Sequence, residues 1–368
     1  MITLSLDRIL TLDEILSIGL GEQVSVTEDA LAEIDRRREQ IVQFISERPH
    51  PSYGFNRGFG HNVDYAVSPE GMEKLQLNFI RSHSSGVGPE APETIVRMTM
   101  LLRVHSFLRG NSAVRSSLIS LIVSLLNHRI TPSVPCFGSV GASGDLAPLS
   151  HIARTLIGEG NVWYERQLRP AHEVFQSLQI TPATLQMKEG LALSNGMQFT
   201  LAYGIYVHHQ VSRLLKAATF ISAFTTQVML GSDDPFDSEF QLLRPHPGAC
   251  KIARWLTEYS AGSPIRESHR AYHVDGEVQD PYNIRCTPQI LGASAELLDD
   301  AQATFEIEAN SATDNPLILK DPETNNWTRI VSGGHFHGMP LATRLYGLIQ
   351  AASIICSLSN TRCSRYVD

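Results

Sequence analysis

Between Gly138 and Ser150 the chain reads GSVGASGDLAPLS, and its tripeptide Ala142-Ser143-Gly144 joins a nitrogen unhindered by a Cβ to a hydroxyl that can leave as water. Three chemistries suit such a segment. It can be a glycine turn leading into a helix, with Ser143 or Asp145 as cap and Pro148 in the first turn. It can be a backbone nest for phosphate, although no GxxxxGK[ST] pattern and no following lysine support that. Or the Gly144 nitrogen can close on the Ala142 carbonyl two residues back, leaving an electrophilic ring with an exocyclic methylene once Ser143 is dehydrated.

Other clusters accompany it. YGFNRGFG (53–60) alternates aromatic residues with glycines, as a mobile flap carrying Tyr53 or an ordinary aromatic-anchored loop would. RSHSSGVG (81–88) puts Ser82 and His83 before another flexible turn, where a histidine can equally be structural. QDPYNIRC (279–286) gathers the amide of Gln279, the phenol of Tyr282 and the guanidinium of Arg285, for which a surface salt bridge is the plain alternative. EANSATDNP (308–316), containing Asn315, can be a helix end with Asn/Asp caps. In HFHG (335–338), His335 and His337 would share one face of a strand, but without a carboxylate partner or HExxH no metal is expected.

The elements that must hold these groups are helical. Apolar residues recur at helical spacing from 93 to 129, with Pro92 and Glu93 as start signals. From Asn195 to Leu230 the only formal charges are Arg213 and Lys216, and helices so poor in charge are expected to be surrounded by other helices. Leu341, Leu345, Leu348, Ala352 and Ile355 draw another stripe, and Pro288 to Asn310 a further helix. The expectation is a mainly α protein with a long central helix bundle and an N-terminal mixed region carrying the loops.

Composition narrows the partners. A chain of 368 residues, 42% hydrophobic and 18% charged, can bury a sizeable core. Its net charge of −8 and lack of a Lys/Arg run argue against nucleic acid or an anionic membrane, leaving small molecules or other protein chains. Five scattered cysteines without a CxxC pair indicate neither a disulfide framework nor a zinc site and fit a reducing cytoplasm. The start carries no signal-peptide pattern, no eighteen apolar residues run together, and the end, LSNTRCSRYVD, follows an apolar helix with neither cap nor polar tail, as in a bundle cut short.

Taken together, GSVGASGDLAPLSH, YGFNRGFG, LQLNFIRSHSSGVG, KEGLALSNG, VQDPYNIRCTPQILG, ANSATDNPLI and SGGHFHGMP, in this order, resemble the histidine/phenylalanine ammonia-lyase family along the whole chain. The resemblance implies a largely helical homotetramer whose active sites combine residues from different subunits. It implies that Ala142, Ser143 and Gly144 become a 4-methylidene-imidazol-5-one (MIO) prosthetic group, with no metal. It divides the chain into a cofactor and flap-loop region at 1–195 and a central helical bundle region at 196–368, the latter truncated.

By the same resemblance Tyr53 is the flap base for the β-proton, and Tyr282 a second active-site tyrosine. Asn195 stands beside the prosthetic group and Gln279 in its hydrogen-bonding network. Arg285 binds the substrate carboxylate, Asn315 makes a second carboxylate contact, and Phe336 packs against the cofactor. Ser82-His83 resembles the histidine-specific pair, which implies conversion of L-histidine to trans-urocanate and ammonia. A lyase or 2,3-aminomutase for another aromatic amino acid is the near alternative, and an inactive helical scaffold the distant one. Three departures stand out: Arg57 replaces a threonine, His335 an asparagine, and the chain ends at Asp368, before the family's usual end and the glutamate supplied there.

Overall fold

The computed structural model describes residues 1–47, 51–60, 63–269 and 279–367. They form two compact units, Met1–Ile205 with Phe305–Leu341, and Tyr206–Thr304 with Ala342–Asp368.

The first unit is built around helix Glu93–Leu108, in which every residue from Ile95 to Leu108 is buried. Two cations on this rod reach carbonyls in the last turns of neighbouring helices. Arg97 donates to Ile18 O (3.1 Å) and Leu126 O (3.0 Å), the last turns of helices Leu12–Gly19 and Ser116–Asn127. Arg103 does the same for the short helix Glu189–Ser194, as described below. The periodicity that suggests one helix over 93–129 is interrupted at 109–115. There Asn111 turns away to a hairpin, donating from Nδ2 to Ile318 O (2.8 Å) while its carbonyl accepts from Ile318 N (2.8 Å). Small sheets complete the unit: Ile2–Leu4 parallel to Val24–Val26, Val87–Glu90 against Pro135–Phe137, a three-stranded sheet centred on Asn161–Tyr164, and the antiparallel hairpin Leu317–Lys320/Trp327–Val331.

The second unit takes the later part of helix Gln198–Val228, helix Pro247–Ser260, most of Thr287–Ala309 and nearly all of Met339–Val367. Ile252, Leu256, Leu291, Leu298, Leu348 and Ile355 are buried in it. Arg362 knits three helical segments, bonding Asn283 O (2.8 Å), Thr287 Oγ1 (2.6 Å) and Ser222 Oγ. The helices expected over 195–230, 288–310 and 341–355 are present. Full enclosure is not: Phe220, Ile221, Phe224, Tyr346 and Ile349 are exposed in this chain. Over Met339–Ser364 the last helix is long and apolar enough to cross a membrane by length and composition, its most apolar eighteen residues having mean hydropathy 1.4. The expectation that no apolar run reaches that length holds for uninterrupted residues but not for the helix averaged over a window.

Candidate active site

The glycine run leaves strand Pro135–Phe137 and ends at helix Leu146–Leu156. Ala142 and Ser143 are exposed, whereas Gly144 and Asp145 are buried. Gly144 has φ +78°, and a Cβ placed on it would lie 2.5 Å from Gly196 O and 2.7 Å from Gly196 N. Only glycine permits that backbone-on-backbone contact in the left-handed region.

Around this contact the segment is fastened at several points. Asn195 Nδ2 donates to Ser143 O at 2.7 Å, and Asp145 N donates to Gly196 O at 2.7 Å. Asp145 occupies the N-cap position, yet its carboxylate does not cap the helix, and Ser143 does not do so either. The carboxylate accepts instead from Ser139 Oγ (2.6 Å), Thr200 Oγ1 (2.7 Å) and Thr200 N (2.8 Å), so it closes the glycine loop on itself and ties it to the start of helix Gln198–Val228. Burial pushes this carboxyl above its ordinary pKa, and the bonds from Ser139 and Thr200 pull it back. From the other side Gly338 N donates to Gly141 O (2.9 Å), which brings in the segment carrying half-buried Phe336. His335 and His337 lie in this turn rather than on a strand, since strand Trp327–Val331 has already ended.

Helix Glu189–Ser194 delivers Asn195. Six residues cannot sustain a helix in water, and its stability comes from buried side chains. Gln76 Oε1 accepts from Gly190 N (2.8 Å), Glu189 pairs with Arg115 (2.7 Å), and Lys188 at its N-cap donates to Asp314 Oδ2 (2.5 Å) and Ser112 O (2.9 Å). Next to Asp314, Asn315 accepts from Gly333 N through Oδ1 (2.7 Å). Asn195 Oδ1 and Gln198 Oε1 are buried without a hydrogen-bond partner among the described residues.

Tyr53 and His83 stand at opposite ends of a ladder of rings. Centroids are 6.0 Å apart from Tyr53 to Phe59, 4.5 Å from Phe59 to Phe79 and 4.2 Å from Phe79 to His83. The Tyr53 hydroxyl accepts from Gly60 N at 3.4 Å, and the neighbouring Gly54 rests on Leu191, where a Cβ would come within 2.9 Å of Leu191 Cδ2. The flap therefore seats on the helix that delivers Asn195. Arg57 donates to Asp64 O (2.7 Å), bracing the flap from within. His83 Nδ1 lies 2.9 Å from Phe79 O and 3.0 Å from Ser82 Oγ. A carbonyl only accepts, so the bonding places a proton on Nδ1, and in that tautomer Nε2 is an acceptor.

Gln279, Tyr282 and Arg285 belong to the second unit. Tyr282 and Arg285 bound the short helix Tyr282–Arg285; the guanidinium lies 4.5 Å from the Tyr282 ring centroid and donates to Asp280 O (2.8 Å). Among the described residues no carboxylate pairs with Arg285. Tyr282 also lines an open cavity of about 560 Å³ with Ile290, Ile354 and Leu358.

The residues fit the expected ring. Gly144 is pressed against backbone where a side chain would clash, the Ser143 carbonyl already has its donor, and Asn195 Oδ1 is an acceptor without a partner. Sequence reasoning missed Gly196, Thr200 and Arg103, and gave Asp145 only a capping role. Their signal is faint, being a glycine after Asn195, a threonine at a helix start and an arginine in an apolar stretch.

Residues 10–368 match the family model for aromatic amino acid lyases. The chain is 42% identical over 364 residues to a histidine ammonia-lyase of Deinococcus radiodurans, covering 99% of this chain and 68% of that one. Its fold is similar to a phenylalanine aminomutase of Pantoea agglomerans, with TM-score 0.92 and 30% identity over 100% of this chain and 73% of that one. It is also similar to a histidine ammonia-lyase of Trypanosoma cruzi, with TM-score 0.86 and 31% identity over 99% of this chain and 67% of that one. With the family pattern spanning all but the first nine residues and a helical fold shared over the whole chain, this protein belongs to the aromatic amino acid lyase family.

Proposed function

We propose that this chain is an ammonia-lyase converting L-histidine to trans-urocanate and ammonia, with an MIO group formed from Ala142, Ser143 and Gly144. The observation that carries it is the exposed Ala142-Ser143 pair held between two fixed points, Asn195 on the Ser143 carbonyl and Gly144 against Gly196. The ring supplies the electrophile that amino-acid side chains lack, because an amine is a poor leaving group and a β-hydrogen is scarcely acidic.

The chain's own residues bind and move protons. Tyr53 takes the β-proton, and Tyr282 and Gln279 position the ring and the amine. Arg285 binds the substrate carboxylate by a charge-assisted bond worth about 1.5–3 kcal/mol, with Asn315 as second contact. Asn195 holds the ring carbonyl derived from Ser143, and Phe336 packs beside it. His83, with Ser82, reads the substrate side chain: an acceptor at Nε2 suits the N–H of an imidazole and offers nothing to an unsubstituted phenyl ring. The exposed apolar residues Phe220, Ile221, Phe224, Tyr346 and Ile349 are covered by further copies in a homotetramer, and five unpaired cysteines suit the cytoplasm.

A second reading is an aminomutase, favoured by the fold's similarity to the Pantoea agglomerans enzyme. Incubation with L-histidine, L-phenylalanine and L-tyrosine, with products resolved by mass, separates the two. Urocanate from histidine is expected, whereas a β-amino acid or a phenyl acrylate as main product would replace this proposal.

A further inference from the structure

Arg103 is a cation with no place in the chemistry so far. The residue is 2% exposed, and among the described residues it has no ion-pair partner and no hydrogen bond at Nε or Nη2. Burial lowers its pKa to about 10, which leaves it charged at neutral pH. Such a group is costly to keep away from water unless its position is needed.

Its bonds show what it holds. Nη1 donates to Ala192 O (2.8 Å) and Asn195 O (2.5 Å), both beyond the last backbone bond of helix Glu189–Ser194, which runs from Asn195 N to Leu191 O. A cation at a helix C-terminus opposes the negative end of the dipole as well as satisfying its carbonyls. On the next residue, a Cβ on Gly196 would lie 2.8 Å from Arg103 Nη2. The guanidinium thus holds the Asn195-Gly196 peptide. The same two residues make the contacts that fix the tripeptide, Asn195 Nδ2 to Ser143 O and Gly196 O to Asp145 N. Arg97 on the same helix bonds carbonyls of two other helices, but neither of those carries Asn195.

We propose that Arg103 is a positioning residue for formation of the prosthetic group, fixing the Asn195-Gly196 peptide against which Ala142-Ser143-Gly144 is bent for closure. This rests on the reading that the tripeptide cyclises. In that condensation a bond forms from Gly144 N to the Ala142 carbonyl carbon. The Ala142 oxygen leaves as water with the protons of Gly144 N and Ser143 N. The Ser143 hydroxyl then leaves as a second water with the Ser143 Cα proton. No oxidant or co-reactant is needed, and every atom that reacts lies in the three residues Arg103 helps to orient. Displacement of the reacting atoms by about 1 Å costs roughly 100-fold in rate.

The test follows loss of two waters from newly synthesised protein by the mass of the Ser143 peptide, expressed per folded molecule, in wild type, Arg103→Lys, Arg103→Met and Met100→Ala. Met100 is fully buried on the same helix and controls for lost core packing. The lysine variant, which keeps the charge but not the planar fork, is expected to mature about tenfold more slowly, and the methionine variant about 100-fold, while Met100→Ala matures at nearly the wild-type rate. Arginine variants that mature as fast as Met100→Ala would overturn the proposal. Arginine variants that give no folded protein would also count against it, since that is what a purely structural role predicts. Wild-type protein that never loses two waters would instead overturn the ring reading itself, a separate result.

Discussion

Breaking the ion pair between Lys188 and Asp314 should cost this fold more than any exposed pair could. Both side chains are 0% exposed, Lys188 Nζ is 2.5 Å from Asp314 Oδ2 and 2.9 Å from Ser112 O, and Ser112 Oγ donates to Asp314 Oδ1 at 3.0 Å. Burial lowers the Lys188 pKa, and the carboxylate beside it works in the opposite direction. Asp314→Asn removes the charge that offsets this desolvation and strands the ammonium, a loss of about 3–5 kcal/mol. Against a total stability of roughly 5–15 kcal/mol this is a large fraction. Lys188→Met strands the carboxylate and should cost about as much. The double variant Lys188→Met/Asp314→Asn strands neither charge, so it should be more stable than either single one, with a coupling of at least roughly 2 kcal/mol. Urea unfolding of all four proteins at one protein concentration measures the cycle. Single losses below about 1 kcal/mol that simply add would refute the reasoning.

Two further outcomes follow from buried groups. His105 is held neutral by burial and by the nearby Arg109, which lower its pKa to about 4 from 6.5 despite the bond to Asn310, with Arg8 and Glu14 as the other charges acting on it. Because the folded value is depressed, the unfolded chain takes up the proton first, so stability falls as pH drops below about 6.5 and by roughly 3 kcal/mol at pH 4. His105→Gln should flatten that part of the urea-midpoint profile, and an unchanged slope would point to other groups. Gly144→Ala should place a Cβ 2.5 Å from Gly196 O at φ +78°, straining the site by about 1–3 kcal/mol and abolishing ring formation in protein that still folds. Retained loss of water in that variant would contradict the close-approach argument.

Much of this architecture could be read from residue order. The charge-poor stretch from Asn195 and the apolar stripe from Leu341 predicted the helices realised as Gln198–Val228 and Met339–Val367, and the helix expected over 288–310 is realised as Thr287–Ala309, because apolar spacing is a local property. The break after Leu108 could not be read, since it depends on Asn111 meeting Ile318, 207 residues away. Asp145 was legible as a cap by position only; its carboxylate follows Thr200, brought near by the tertiary fold. The Ala142-Ser143-Gly144 tripeptide and the polar groups around it were legible as a family pattern, whereas nothing in the sequence marks Arg103, Lys188 and Glu189 as buried. A buried charge and a surface charge are the same letter, and only packing tells them apart. Likewise His335 and His337 sit in a turn where alternation alone suggested a strand.

The central claim is most directly tested on the tryptic peptide from Ile130 to Arg154, which contains Ser143 and no other lysine or arginine. Its mass in folded wild-type protein should be lower than the sequence mass by two waters, with fragmentation placing the loss within Ala142-Ser143-Gly144. A full-mass peptide bearing an intact Ser143 hydroxyl would contradict the account.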